Sequence, residues 1–531
     1  MTSAAAISPS SAGARTSIFL LAGVVLATLT EAIASTVLAL GRSDIIGDTH
    51  ATPDEFAWLD VGYTALKLMG FMIAPWLLSR FPPCRVIIGA TLAMGLACGI
   101  AAITARLELL IALRIIQGFA GGSLLVAGQA LIFFAYPPHQ QPILQALFAM
   151  GAVVASATLA PALQGWLIDS QSWTWIFLSV VPLALASVGL LLIADAPAPA
   201  RAQRRPFDWL GCALLAAVIL CFTYVLSQGS RWDWFEEPHI LWLTLTGLAA
   251  LLAFLGQQVL AKGRGLLDFT LFESEDFTFA FIVSFVAGAA LFGSAFLIPA
   301  FALSVLAFTP TDAGLLLLPS GALFVGALLI AAYLMQARRV PPVATVPFGI
   351  LLIMAAMWML SGSTNESDTA DMMAAILLRG LGLGFLFLSI TLIAFSKLDN
   401  RNLACGIGLF NTGRQFGGLI GVAGLQTLID HNLAANLVVF GTHVTAGGNA
   451  VIERLASTTA MLTVKGMDAA AAGRGATSLL GRVVTGQSTV LAFDTAFVAV
   501  ALLFVFAAPM LVAIKIGLSR YAKVRAARTA A

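Results

Sequence analysis

Apolar runs of about twenty residues recur from near residue 17 to near residue 517, separated by short clusters of turn-forming and charged residues. In helical form such a run reaches about 30 Å, the thickness of a bilayer's hydrocarbon layer. The pattern predicts helices 1 to 6 near 17–40, 56–78, 86–104, 107–134, 143–167 and 174–194. Helices 7 and 8 follow near 209–227 and 240–260. Helices 9 to 14 come near 277–301, 313–335, 344–362, 373–395, 404–428 and 491–517. The stretch 429–490 is longer and more polar, with Gly447, Gly448, Gly466 and Gly473 separating two modestly amphipathic pieces. It is expected to be a long external loop, either a helical cap on the outer face or a docking surface for a periplasmic partner.

Composition agrees with the pattern. Of 531 residues, 60% are hydrophobic and only 10% charged, where soluble domains carry about a quarter charged residues. The lipid bilayer is therefore the main solvent, and no soluble domain has room. The net charge of +2 is close to neutral and argues neither for a nucleic-acid partner, which is not expected, nor for a polybasic surface binder. The five cysteines show neither metal spacing nor a CxxC pair and read as free thiols. The first sixteen residues are Ala/Ser-rich, and the apolar run after them is too long for a cleaved signal, so helix 1 is expected to remain as an anchor.

The distribution of charge sets the orientation. With the N-terminus inside, the inner loops collect Arg15, Arg80, Arg85, Arg201, Arg204, Arg205, Lys262, Arg264, Arg338, Arg339, Lys397, Arg401 and a basic tail. The short outer loops keep Arg42, Arg106 and Arg231. That asymmetry needs an even number of spans, so fourteen helices with both termini cytoplasmic is self-consistent. A weak repeat divides them: Leu113-Arg114 through Gly118 returns as Leu378-Arg379 through Gly382, and Arg80 to Pro83 has an echo in Arg338 to Pro342. The expected organisation is a six-helix half over 1–194, a two-helix insert with linkers over 195–262, and a second six-helix half over 263–531. Repeated halves of this kind suit a carrier of small molecules that works by alternating access.

A charge inside hydrocarbon costs roughly 2.5–3.5 kcal/mol on insertion scales, so each one needs a partner or a wet cavity. Five fall there: Glu31 in helix 1, Lys67 in helix 2, Arg114 in helix 4, Arg379 in helix 12 and Arg414 in helix 13. Glu31, Lys67 and Arg114 lie roughly 10–16 Å below the outer ends of their helices and share a layer. Glu31 is expected to be the only carboxylate well inside a helix, since Asp60, Asp312, Asp371 and Asp494 fall near predicted outer ends. It is the candidate proton site: ionised beside Lys67 or Arg114 it is held, and protonation frees the base and changes what the cavity binds. The alternative is a structural pair in which Glu31 only neutralises Arg114. Lys67 is a cavity-lining or a snorkelling base.

Gln117, Gln129, Gln164, Asn411 and Gln415 need partners in the bundle and are expected, with Lys67, Arg379 and Arg414, to line a substrate cavity. Glycines at 118, 121 and 122, at 380, 382 and 384, and at 417, 418 and 421 allow close helix approach. Pro161 removes a hydrogen bond from helix 5 and makes a hinge or a static kink. Trp58, Trp232, Trp234 and Trp242 read as interface anchors. Nothing in the chain has the form of a nucleotide loop, a metal-spaced cluster or a nucleophile elbow, so neither an enzyme nor a metal or organic cofactor is expected.

Several segments resemble the fourteen-helix drug:proton antiporter family of the major facilitator superfamily, Emr-type members above all. They are Thr52-Pro-Asp-Glu55 with Trp58 and Tyr63, Arg114-x-x-Gln117-Gly118, Tyr136-Pro137-Pro138, Ala160-Pro161 through Gly165, Trp173-x-Trp175-Ile-Phe177 with Pro182, Arg379-Gly-x-Gly382, and Asn411-x-x-Arg414-Gln415. The resemblance spans almost the whole chain. It implies proton-driven export of hydrophobic or amphipathic compounds across the bacterial inner membrane. In some members export runs through a periplasmic membrane-fusion adaptor and an outer-membrane channel. It also implies that Arg114 belongs to the proton-coupling machinery, and it makes Pro161, Gly165 and Arg80 gating positions. Two departures keep an importer or facilitator of a small organic solute open on the same fold. In the loop between helices 2 and 3, Pro75, Ser79 and Pro82 stand where the family has Gly, Asp and Gly. In helix 1, Thr30 stands where the family has an acid, with Glu31 about 100° further round.

Overall fold

The computed structural model describes residues 11–194, 206–261, 265–266, 269–395, 398–445 and 447–530. The first half is built from α1 (Ser11–Thr36), α2 (Pro53–Arg80), α3 (Pro83–Ala101), α4 (Leu107–Ala135), α5 (Pro138–Ser170) and α6 (Thr174–Ile193). A hairpin of α7 (Trp209–Gln228) and α8 (Pro238–Leu260) follows. The remaining helices are α9 (Glu275–Ser304), α10 (Pro310–Gln336), α11 (Pro342–Leu360), α12 (Thr369–Phe395), α13 (Asn400–His443) and α14 (Ala469–Ala530). Among the described residues, thirteen of these helices are long and apolar enough to cross a membrane. The exception is α13, which carries Asn411, Arg414, Gln415, Gln426 and Asp430 but packs along α9 within the bundle. The predicted linker bases Arg201, Arg204, Arg205, Lys262, Arg264 and Lys397 lie outside the described residues.

Local chemistry places the ends of the elements. Helix α2 opens on a capping box: Thr52 accepts from the Glu55 N–H, and the Glu55 carboxylate accepts from the Thr52 N–H at 2.9 Å. Helix α1 stops at Thr36 rather than near residue 40, and a short helix, Arg42–Thr49, folds over that end. The Trp173 indole ties it down by donating to Asp48 at 2.6 Å. The hairpin is held at its base by Asp208, which accepts from the Gly211 and Leu266 N–H groups and from Gln257 and Gln258. Burial pushes this carboxyl up, but those four donors outweigh it and hold Asp208 below the usual carboxylate range.

The hairpin touches both halves. Trp58 on α2 packs against Tyr224 at 5.1 Å, and Arg231 pairs with Asp54 at 2.8 Å. Toward α13, the Trp234 indole donates to Thr427 at 3.0 Å, and Ser230 donates to Asp430 at 2.7 Å. Trp58 and Trp234 thus fasten helices to one another, while Trp242 stays 67% exposed in the manner of an interface residue.

The segment 429–490 is helical and not a loop. Helix α13 runs unbroken to His443, a helix follows at Asn449–Val464, and α14 starts at Ala469 with Gly473 inside it. At 1.5 Å per residue the 44 residues of α13 extend about 66 Å, twice the hydrocarbon thickness, so the paired helices project beyond the bundle. The early start of α14 continues the helix outward past Asp494, which lies near the predicted outer end of its span. The Asp494 Oδ1 is buried without a hydrogen bond.

Candidate functional site

The site begins with backbone contact between α2 and α4. A Cβ at Gly118 would collide with the Tyr63 carbonyl, and one at Gly122 with the Lys67 carbonyl. Only glycine permits that approach, and the two glycines, one turn apart, set the register of Tyr63 and Lys67 against α4. The same device recurs in the second half, where Gly380 and Gly384 of α12 meet the Ser320 and Phe324 carbonyls of α10. Both pairs are offset by 262 residues, which matches Arg114 with Ile376. Arg379 therefore sits nearly one turn past the position its sequence echo implies.

Helix α1 brings Glu31 to this seam, 1% exposed. The Lys67 Nζ lies 2.5 Å from Glu31 Oε1, and the Tyr63 hydroxyl donates to the same oxygen at 3.0 Å. Arg114 does not pair with Glu31 directly. Its guanidinium lies 4.0 Å from the centre of the Tyr63 ring and donates to the Ala34 carbonyl at 2.7 Å, the Leu59 carbonyl at 3.4 Å and Gln117 Oε1 at 3.1 Å. The Tyr63 ring separates the two ionic partners, a role that the spacing of charges alone did not reveal. Its position, four residues before Lys67, was the available signal. Thr30 turns its hydroxyl to the Ala27 carbonyl and takes no part.

Two donors in the cluster are left over. Arg114 Nη2 and Gln117 Nε2 are buried without hydrogen-bond partners among the described residues, so the cluster keeps two donors that an additional acceptor could satisfy. Glu31 is the one carboxylate that pairs with Lys67 among the described residues, so the two buried charges depend on each other.

A second polar chain crosses between the halves. Gln129 donates to Gln145 at 3.1 Å and Gln145 to Gln141 at 3.4 Å. From α13, Asn411 donates to Gln129 at 3.4 Å and accepts from Arg414 at 2.6 Å, while Arg414 lies over the Phe387 ring at 4.8 Å. Gln415 is half-buried next to Arg414. Gln141 and Gln145 carry no charge to mark them in the sequence, and their i, i+4 spacing, which puts them on one face, is the only signal there. Arg379 stands apart from both groups. Fully buried, it donates through Nε to Ser294 at 2.9 Å, and neither terminal nitrogen has a partner among the described residues.

Contacts also close both ends of the interface between halves. At one end Gly165 meets the Pro310 backbone, Gly314 meets that of Pro161, and Asp169 accepts from the Thr311 N–H at 2.9 Å and from the Thr311 hydroxyl. At the other, Phe133 of α4 meets Phe395 of α12 at 5.7 Å. Pro161 lacks an N–H, and the turns before it widen into a π-helix over Met150–Leu159, with the Ala160 N–H reaching back to the Ala155 carbonyl. Gln164, in the next turn, donates to the Ile33 carbonyl and the Thr36 hydroxyl on α1. Arg80 is exposed at the end of α2, 4.5 Å from the centre of the Trp76 ring, and the Ser79 hydroxyl turns back to the Trp76 carbonyl.

Two glycine-seamed helix pairs, related by one offset on either side of a polar interface, are the mark of a duplicated carrier. The family model described as Major Facilitator Superfamily matches residues 6–422. The chain belongs to the major facilitator superfamily. It is 27% identical over 416 residues to the multidrug export protein EmrB of Haemophilus influenzae, which covers 77% of this chain and 80% of that one. To EmrB of Escherichia coli strain K12 it is 27% identical over 406 residues, 76% of this chain and 78% of that one. The fatty acid resistance protein FarB of Neisseria gonorrhoeae is 25% identical over 487 residues, 91% of this chain and 93% of its own. Among solved structures, a bacterial homolog of the human lysosomal transporter Spinster, inward-facing and unoccupied, superimposes with a TM-score of 0.56. That match covers 95% of this chain and 98% of the other at 13% identity, and shows a shared fold. The chain is thus a multi-pass membrane protein of a transporter superfamily.

Proposed function

We propose that this chain is a proton-coupled antiporter of the bacterial inner membrane, with fourteen spans and both termini cytoplasmic. It exports hydrophobic or amphipathic small molecules by alternating access. Export of drugs is supported by the two EmrB relatives named for multidrug export, and FarB, named for fatty acid resistance, extends the range to apolar acids. The observation that carries proton coupling is the buried Glu31–Lys67 pair with Tyr63 on the same oxygen. A carboxylate placed there cannot gain a proton without releasing a base into the bundle. Arg114 is the second member of the coupling machinery, since its two spare donor positions, counting Gln117, lie one ring away from that event. Substrate is held by Lys67, Gln117, Gln129, Asn411, Arg414, Gln415 and Arg379, and Pro161, Gly165 and Arg80 take part in gating. The proton gradient supplies the energy. A periplasmic adaptor and an outer-membrane channel are partners in this reading, supported by the projection of α13 and α14 beyond the bundle.

Substrate-induced proton release in proteoliposomes tests the proposal. Addition of an amphipathic substrate is expected to release protons from the wild-type chain and none from Glu31→Gln. Release that survives the substitution removes Glu31 from the mechanism, and substrate uptake with no proton movement in the wild type would establish a facilitator instead.

A further inference from the structure

Helices α2, α3 and α4 leave between them a cavity of about 520 Å³ that the charge cluster does not use. Leu66 and Ile115, the sequence neighbours of Lys67 and Arg114, form part of its wall, together with Leu77 and Phe119. Gly89 leaves a bare patch, with nothing within 4 Å of where its Cβ would stand. From Leu66 to Phe81 the wall runs fifteen residues of helix, about 22 Å, which is more than half the ~30 Å of bilayer hydrocarbon.

Polarity in the groove is confined to two side chains. Arg85 is exposed at one end, and Ser123 is 2% exposed with a hydroxyl that has no partner. A single hydroxyl cannot anchor buried water, which needs two to four polar partners, so the occupant that suits these walls is hydrocarbon. At the mouth, residues 79–85 contain Arg80 and Arg85 and no acid. Arg80 is occupied by the Trp76 ring, which leaves Arg85 as the cation facing the groove.

We propose that this groove binds one anionic glycerophospholipid, with an acyl chain laid between α2, α3 and α4 and its phosphate on Arg85. The lipid fills the space behind the helix pair that holds Lys67 and Arg114, and so fixes the spacing on which the charge cluster depends.

Delipidated protein in mild detergent, offered equal amounts of phosphatidylglycerol and phosphatidylethanolamine, gives the test by native mass spectrometry. The wild type is expected to retain one phosphatidylglycerol per chain in preference to phosphatidylethanolamine. Arg85→Gln is expected to lower that preference roughly tenfold, the scale of one charge-assisted contact. Gly89→Leu, whose side chain grows into open space, is expected to lower occupancy by both lipids. An unchanged lipid ratio in Arg85→Gln, equal retention of the two lipids by the wild type, or unchanged occupancy in a folded Gly89→Leu overturns the proposal. Arg85 is exposed and its substitution spares the fold, so that arm decides even where Gly89→Leu fails to fold.

Discussion

Removing one partner of the Glu31–Lys67 pair should do more damage than removing both. The side chains are 1% and 11% exposed, and the Nζ to Oε1 distance is 2.5 Å. Glu31→Gln leaves an amide that can still accept from Tyr63 but cannot neutralise Lys67, and breaking a buried pair in this way costs about 3–5 kcal/mol. Lys67→Met leaves the Glu31 carboxylate with Tyr63 as its one hydrogen-bond donor among the described residues, a loss of similar size. In the double variant both charges are gone and an apolar side chain fills the space, so most of the loss returns. The expected coupling between the two sites is therefore at least as large as one single loss, about 3–5 kcal/mol. With an unfolding entropy of about 2.1 cal/mol/K per residue, each single variant should lower the apparent unfolding midpoint by roughly 3–5 °C and the double variant by much less. The measurement is thermal unfolding in detergent, run beside proton release in proteoliposomes. A double variant that is stable but releases no protons is the expected result. Additive losses would refute the energetic reasoning, because two sites that do not depend on each other cannot form one charge pair. A stable double variant that still couples protons would show that the pair serves only the fold.

Other parts of the structure make separate claims. Gly122→Ala places a methyl group on the Lys67 carbonyl and should cost about 1–3 kcal/mol, with loss of transport out of proportion to any fall in folded yield. Arg379→Met removes a buried cation whose one hydrogen-bond partner among the described residues is Ser294, so stability in detergent should hold or rise while transport falls; a marked drop in stability would show that Arg379 is structural. Thr311→Val removes one donor to Asp169 and should shift accessibility labelling at that end of the α5–α10 seam toward open. Asp208 sits below the usual carboxylate range, so its contribution to hairpin stability is present above the unfolded carboxylate pKa near 4 and is lost as pH falls through the lower folded value. The midpoint of the wild type should therefore fall more steeply than that of Asp208→Asn on acidification below about pH 4, and parallel curves would count against that assignment.

Residues whose role follows from one helix were legible in the sequence, and those whose role needs two helices were not. Spans, the unusual intramembrane charges and the glycine seams are properties of a single run of residues, and α1 to α12 fall within a few residues of the predicted segments. Glu31 and Lys67 were placed in one layer by counting rise per residue, which fixes depth but not azimuth. Depth alone therefore leaves Lys67 and Arg114 as equal candidates for Glu31, and only the azimuth decides for Lys67: the Tyr63 ring stands between Glu31 and Arg114, whose guanidinium is spent largely on backbone carbonyls. The projection of α13 and α14 was missed for another reason. Gly447, Gly448, Gly466 and Gly473 read as breakers, yet Gly473 is tolerated inside a helix because long flanking runs offset a cost of about 1 kcal/mol.

The placement of the ion pair on α2 gives it a mechanical consequence. Lys67 and Phe71 stand one turn apart on that helix, and the Phe71 carbonyl packs against Gly408 of α13, close enough that a Cβ there would overlap it. Asn411 follows one turn later on α13 and holds both Gln129 of the first half and Arg414. A shift of Lys67 on loss of its anion therefore meets the interface between halves within one turn of helix, through backbone contacts that glycine alone allows and that leave no slack to absorb it. If this is the route by which protonation alters the interface, Gly408→Ala should separate the two events. Protons would still exchange at Glu31, since that site is untouched, but substrate movement would no longer follow. Measured in the same proteoliposomes, proton leak without substrate export is the expected signature. Equal loss of both would place the coupling elsewhere than the α2–α13 contact.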